Sequence, residues 1–166
     1  MGGKKWNDLK DSLRNVLGEI SASSQEHIVS IINFSGTANC EFKRQNPNTI
    51  NIPGLSFMGD GTNFGVAFKE AINLLENDNS KHNIRMIFMT DGNSSYPQDE
   101  IYILKTLISR PAFYQKKNFK FYGLGFQCSS PEFDRIVKEF GGEMKFAKDG
   151  EELKMKYMEI FTRSLG

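Results

Sequence analysis

Two short segments carry the residue types from which a hard-cation site can be built. One is Gly59-Asp60-Gly61-Thr62-Asn63-Phe64-Gly65, which runs into an amphipathic stretch. The other is Phe88-Met89-Thr90-Asp91-Gly92-Asn93-Ser94-Ser95, which leaves an apolar one. Their glycines permit tight turns, and their hydroxyls and carboxylate are oxygen donors of the kind Mg²⁺ takes. Thr62 and Asp91 could equally cap turns or helices, since Gly, Asp and Asn are the default turn residues. Other chemistries find less support. The phosphate-loop form G-x-x-x-x-G-K-S/T is absent, and Gly59, Gly61 and Gly65 miss the dinucleotide spacing by one residue and follow a loop. A phosphatase with an aspartyl nucleophile would show two acids at this strand end, where Asp91 stands alone. His27 and His82 have no Ser, Cys or acid placed by the pattern to form a triad. Cys40 and Cys128 read as inert thiols. No residue is assigned a catalytic role, and the chain reads as a binding protein, not an enzyme.

The rest of the sequence sets the frame for these segments. At 166 residues the chain is long enough for one domain, spanning 1–166, with a real core. Charged residues make up 25% and the hydrophobic set 39%, an ordinary globular composition. Lys and Arg number 21 against 20 Asp and Glu, a net charge of +1. That leaves no surplus of positive charge to hold phosphates, so nucleic acid is not an expected partner. No apolar run approaches the ~20 residues of a membrane helix. The opening Met1-Gly2-Gly3-Lys4-Lys5-Trp6 has no apolar signal-peptide core. Two cysteines far apart rule out a disulfide framework and favour a reducing, cytoplasmic setting.

Periodicity places the two segments on a regular alternation of elements. Trp6, Leu9, Leu13, Val16, Leu17 and Ile20 predict a helix over about 4–21. The β-branched run 27–34 predicts a strand, and Ser35-Gly36 a turn into a more polar edge strand over 37–42. Residues 43–61 read as loop. A helix comes next over about 64–77, then a strand over 84–90, a helix over 98–108 limited by Pro111, and a strand over 119–126. Ser130-Pro131 opens a helix that Gly141-Gly142 stops. A short strand over 144–147 and a capped helix from Asp149 to Leu165 complete the chain. Such alternation predicts an α/β domain with a mostly parallel sheet, whose ligand crevice lies beyond the carboxyl ends of the strands. Both candidate segments fall there. The first helix has no strand before it, although in such folds each outer helix joins two parallel strands.

The order of elements, together with "GDGTNFGVAFKEAI", "IRMIFMTDGNSS", "FKFYGLGF" and "FGGEMKFAKDGEEL", resembles a von Willebrand factor type A domain over almost the whole chain. The resemblance implies a doubly wound, Rossmann-like α/β sheet with one antiparallel edge strand and helices on both faces. It implies a protein-interaction module whose metal-ion-dependent adhesion site binds Mg²⁺ or Mn²⁺, with a partner's acidic side chain completing the metal shell. By residue match Thr62 is similar to the family's site threonine and Asp91 to its site aspartate. The expected ligand-binding surface is then Gly61, Thr62, Asn63, Asp91, Gly92 and Asn93. Against this stand two alternatives: a metal-independent scaffold or regulatory domain of a larger intracellular protein, and a Mg²⁺-dependent hydrolase using Asp91.

The family's pattern begins with an apolar central strand ending in Asp-x-Ser-x-Ser, which supplies most of the metal site. No such motif stands in this sequence, and Met1-Gly2-Gly3-Lys4-Lys5-Trp6 resembles the family's continuation from that motif into its first helix. The first strand and its serine motif are therefore expected to be missing directly ahead of Met1. With one hydroxyl and one carboxylate remaining, the metal site is expected to be weak or absent. The strands flanking the gap, 27–34 and 84–90, are expected to lack partners on one edge. They could close up and pair directly, accept a strand from another chain, or drive self-association.

Overall fold

The computed structural model describes residues 3–57, 59, 61–78, 83–110 and 118–165, the last three by their backbone alone. Pro111 and His82 lie outside the described residues, as do Met58 and Asp60 within the glycine-rich segment, and the side chain of Leu165. The chain opens with α1 (Gly3–Ala22), followed by a hairpin of β1 (Val29–Phe34) and β2 (Ala38–Gln45). Two short 3-10 turns, Pro47–Thr49 and Ile52–Gly54, lead toward α2 (Phe64–Glu76). Then come β3 (Ile84–Thr90), α3 (Gln98–Ser109), β4 (Phe119–Phe126), α4 (Pro131–Glu139), β5 (Glu143–Ala147) and α5 (Gly150–Leu165).

Local chemistry explains most boundaries. Ser130 Oγ accepts from the Phe133 amide at 3.1 Å, and Asp149 Oδ1 from the Glu152 amide at 2.9 Å, so both helices begin at side-chain caps. Glu152 reaches back to the Lys148 amide at 2.9 Å, which completes a reciprocal cap one residue early. β2 runs to Gln45, beyond the expected Phe42, because its register on β1 shifts between Val29 and Ile31 and again between Ile31 and Ile32. The shift places Arg44 at φ 51, with its amide donating to Ser30 Oγ at 2.9 Å.

The strands make two hydrogen-bonded sheets. β1 and β2 pair antiparallel, and β3, β4 and β5 form a parallel sheet in that order. Helices cover both sides of the latter. Phe68, Phe88, Leu104, Phe121, Phe133 and Ile136 gather in one core between β3–β4 and helices α2, α3 and α4. Leu9, Val16, Leu124, Phe126, Leu153 and Tyr157 form a second core beneath α1 and α5. β4 lies between them, its even and odd positions serving opposite faces, and Gly123 gives room to Val137 and Phe133.

Between β1 and β3 no strand pairs the two sheets among the described residues. A cavity of about 820 Å³ occupies that place, lined by β1, β3 and the inward faces of α1, α2 and α5. The two flanking strands have not closed on one another.

Candidate functional site

The loops at the carboxyl ends of β1 and β3 converge. The Asn63 amide donates to Ser35 O at 2.8 Å, tying the glycine-rich segment to the end of β1. The Phe34 ring stacks on Phe88 with centroids 5.4 Å apart, so β1 and β3 finish at the same end of the fold. Here Gly61 takes φ +100, a conformation side chains resist. Gly92 is fixed by contact: a Cβ built on it would stand 2.8 Å from Thr62 Oγ1. Thr62 is thereby seated against the residue after Asp91, and the two segments picked out in the sequence form one face.

Each candidate residue has a definite position there. Asn63 is the N-cap of α2: its Oδ1 accepts from the Val66 amide at 3.3 Å, so its side chain does a structural task. Thr90 Oγ1 holds the turn after β3, accepting from the Gly92 amide at 3.1 Å and donating to Gly92 O at 3.2 Å. The Phe64 amide is met by Ser94 Oγ at 3.2 Å, and Asn93 Nδ2 donates to Glu132 Oε2 at 3.4 Å. Asp91 Oδ2 faces Lys5 Nζ at 3.7 Å, its side chain only 18% exposed. Cys128 Sγ approaches Gly92 O at 3.3 Å. Burial, and then the Asp91 carboxylate, push the Cys128 thiol pKa up, while Lys5 pulls it down. Cys40 is likewise pushed up, first by burial and then by Glu70, which favours the unreactive thiol at both cysteines. His27 lies far from this face in role, with Nε2 3.3 Å from Ser23 Oγ and its ring edge-on to Phe161.

Sequence reasoning gave no site role to Lys5 or Glu132, and none of its own to Ser94. Lys5 sits in a helix more than eighty residues from Asp91, and nothing in local spacing joins them. Ser94 stood inside the quoted Thr-Asp-Gly segment, so a search for side chains able to cap a neighbouring helix would have reached it.

A resident Mg²⁺ does not fit the residues present. The ion requires near-octahedral oxygen coordination. Among the described residues the Thr90 and Ser94 hydroxyls are engaged with the backbone and Glu132 with Asn93, which leaves the Asp91 carboxylate and the Thr62 hydroxyl, and a lysine ammonium stands 3.7 Å from that carboxylate, where it opposes a second cation. Among the described residues no group of three or more His, Cys, Asp or Glu side chains is placed to hold a metal.

The sequence profile of the von Willebrand factor type A domain matches residues 1–156. No curated protein sequence matches the chain significantly. Among solved structures, the fold is similar to a von Willebrand factor type A protein from Catenulispora acidiphila, with TM-score 0.70 and 15% identity. That likeness covers 98% of this chain and 39% of the other, so this chain spans about two fifths of that relative. It is also similar to an aerotolerance-related membrane protein from Bacteroides fragilis NCTC 9343, solved with multiple mutations to serines. There the TM-score is 0.59 at 12% identity, over 96% of this chain and 89% of that one.

Proposed function

The chain belongs to the von Willebrand factor type A family, a family of protein-interaction modules, and we propose that it captures a partner protein at the loop face without a resident metal ion. The observation that carries this reading is the Lys5–Asp91 pair at 3.7 Å. Lys5 supplies positive charge at the carboxylate that a divalent cation would otherwise balance. With its side chain 35% exposed, Lys5 can also meet an acidic side chain of a partner. Gly61, Thr62, Asn63, Asp91, Gly92 and Asn93 form the rest of the surface. Hydrolysis is disfavoured because an active site needs convergent groups in named roles, and among the described residues this face offers no activated nucleophile beside Asp91.

The test is a calorimetric titration of the chain with Mg²⁺ and with Mn²⁺ to millimolar concentration. The reading expects no saturable heat, and no difference for Asp91→Ala. Saturable heat that Asp91→Ala abolishes would show a working metal site and overturn the metal-independent reading. Capture of an acidic partner should weaken with Lys5→Gln and with rising salt.

A further inference from the structure

Phe57 is 52% exposed, yet the chain that carries it is tied down. The Ser56 amide donates to Glu41 Oε1 at 3.0 Å, and the Ser56 carbonyl accepts from Asn33 Nδ2, so β2 and β1 both hold the residue before it. The ring itself is pinned from two sides. It meets the Trp6 ring edge to face, with centroids 5.6 Å apart and planes at 69°. A Cβ built on Gly59 would stand 3.0 Å from Phe57 Cε1, so the ring also lies against the glycine-rich segment. Trp6 in turn packs on the core beneath α1 and α5. A ring fixed in place while half in water forgoes the burial it could gain elsewhere, and it loses little freedom when a partner covers it. Lys5 directly precedes Trp6 in α1, so this aromatic pair borders the Lys5–Asp91 pair.

We propose that the Phe57–Trp6 ledge and Lys5 together receive one short segment of a partner protein, in which a carboxylate side chain lies within about three residues of a bulky apolar one. This deepens the loop-face reading and rests on it. The neighbouring charge selects the occupant. An aromatic pair alone would also take a cation over a ring face, but the Lys5 ammonium beside it repels one. A wholly apolar ligand would cover the rings and strip water from that ammonium without offering a carboxylate in return. An ammonium carries three donors, so Lys5 can serve Asp91 and a partner's carboxylate together. Lys5 and Trp6 are consecutive, so both contacts fall to one stretch of partner chain, and three extended residues reach about 10 Å. The apolar residue supplies most of the affinity, as buried aromatic anchors do, and the carboxylate sets the register.

The probe is a phage-displayed library of random short peptides selected on the full chain, from which a winning peptide without tryptophan is synthesised and titrated. Trp6 is the sole tryptophan of the chain, so its emission reports occupancy of the ledge. Winning peptides should carry Asp or Glu close to Phe, Leu or Ile, and saturation should shift the Trp6 emission. Phe57→Ser should raise Kd at least about tenfold with thermal unfolding still cooperative, and Phe57→Leu, which keeps an apolar side chain, should recover most of that loss. Replacing the peptide's acid by its amide should also cost at least about tenfold. Tyr102→Ser, which removes an exposed aromatic on α3 across the sheet, should bind as the parent does. Binding that needs the peptide's acid but is indifferent to Phe57→Ser, or that leaves Trp6 emission unchanged, would overturn the ledge and leave the loop-face reading standing. Binding that survives both Lys5→Gln and loss of the peptide's acid would overturn the loop-face reading and this inference with it. Enrichment of basic peptides, or of no common pattern, would overturn the proposal as well.

Discussion

β3 and β4 are neighbours in one sheet, and both are apolar in sequence, yet they are covered very differently. In β4 every residue from Phe121 to Phe126 is buried. In β3 only Phe88 and Thr90 are, and Ile87 is 38% exposed. β4 is paired on both edges and lies between two cores, while β3 is paired on one edge and borders the cavity. Apolar composition made both segments strands, but neighbours decided how much of each left the water. Stability should therefore be concentrated on the β4–β5 side, and the β1–β3 side should be the part that a binding event can change.

The largest test of that contrast is a matched pair of truncations. Leu124→Ala empties a fully buried site and should cost about 2–5 kcal/mol by urea denaturation. Ile87→Ala, at the middle of its strand, should cost about 0.5 kcal/mol, as at a surface position. Comparable losses at both would show that the β1–β3 side is as well packed as β4. Between these lies loss of a cap on the well-packed side. Ser130→Ala leaves the Phe133 amide without its partner and should cost about 1 kcal/mol in the same assay.

The smallest effect reads the loop face itself. Burial and Asp91 hold the Cys128 pKa up, and Lys5 holds it down. Alkylation by iodoacetamide requires the thiolate. At pH 8 Asp91→Asn should therefore speed alkylation of Cys128, and Lys5→Gln should slow it, with Cys40 unchanged in both. Opposite signs would mean that Lys5 and Asp91 are not disposed about Cys128 as described.

Much of the fold was legible because each element carries its own local signal. The β-branched run gave β1, the Leu and Ile spacing gave α3, and Ser130 and Asp149 marked helix starts that their side chains do cap. The register shifts in β1 and β2 were not legible, because they depend on which residues meet across the hairpin. The site was legible in part. Thr62 and Asp91 were picked out by type, and the structure brings their loops together at Gly92. Asn63 proved to be a helix cap, the ordinary role of that residue at that position. Lys5 could not be found from sequence, since only the return of α1 to the ends of the strands places it at Asp91.

Native-state amide hydrogen exchange tests the central claim, that the sheet is interrupted between β1 and β3, most directly. In β4 from Tyr122 to Gly125 successive amides bond alternately to β3 and β5, so protection should be continuous along that stretch. In β1 and β3 only alternate amides have strand partners, so slow and fast exchange should alternate residue by residue. Continuous protection along β3 equal to that along β4 would show that its second edge is paired, and would contradict the interruption.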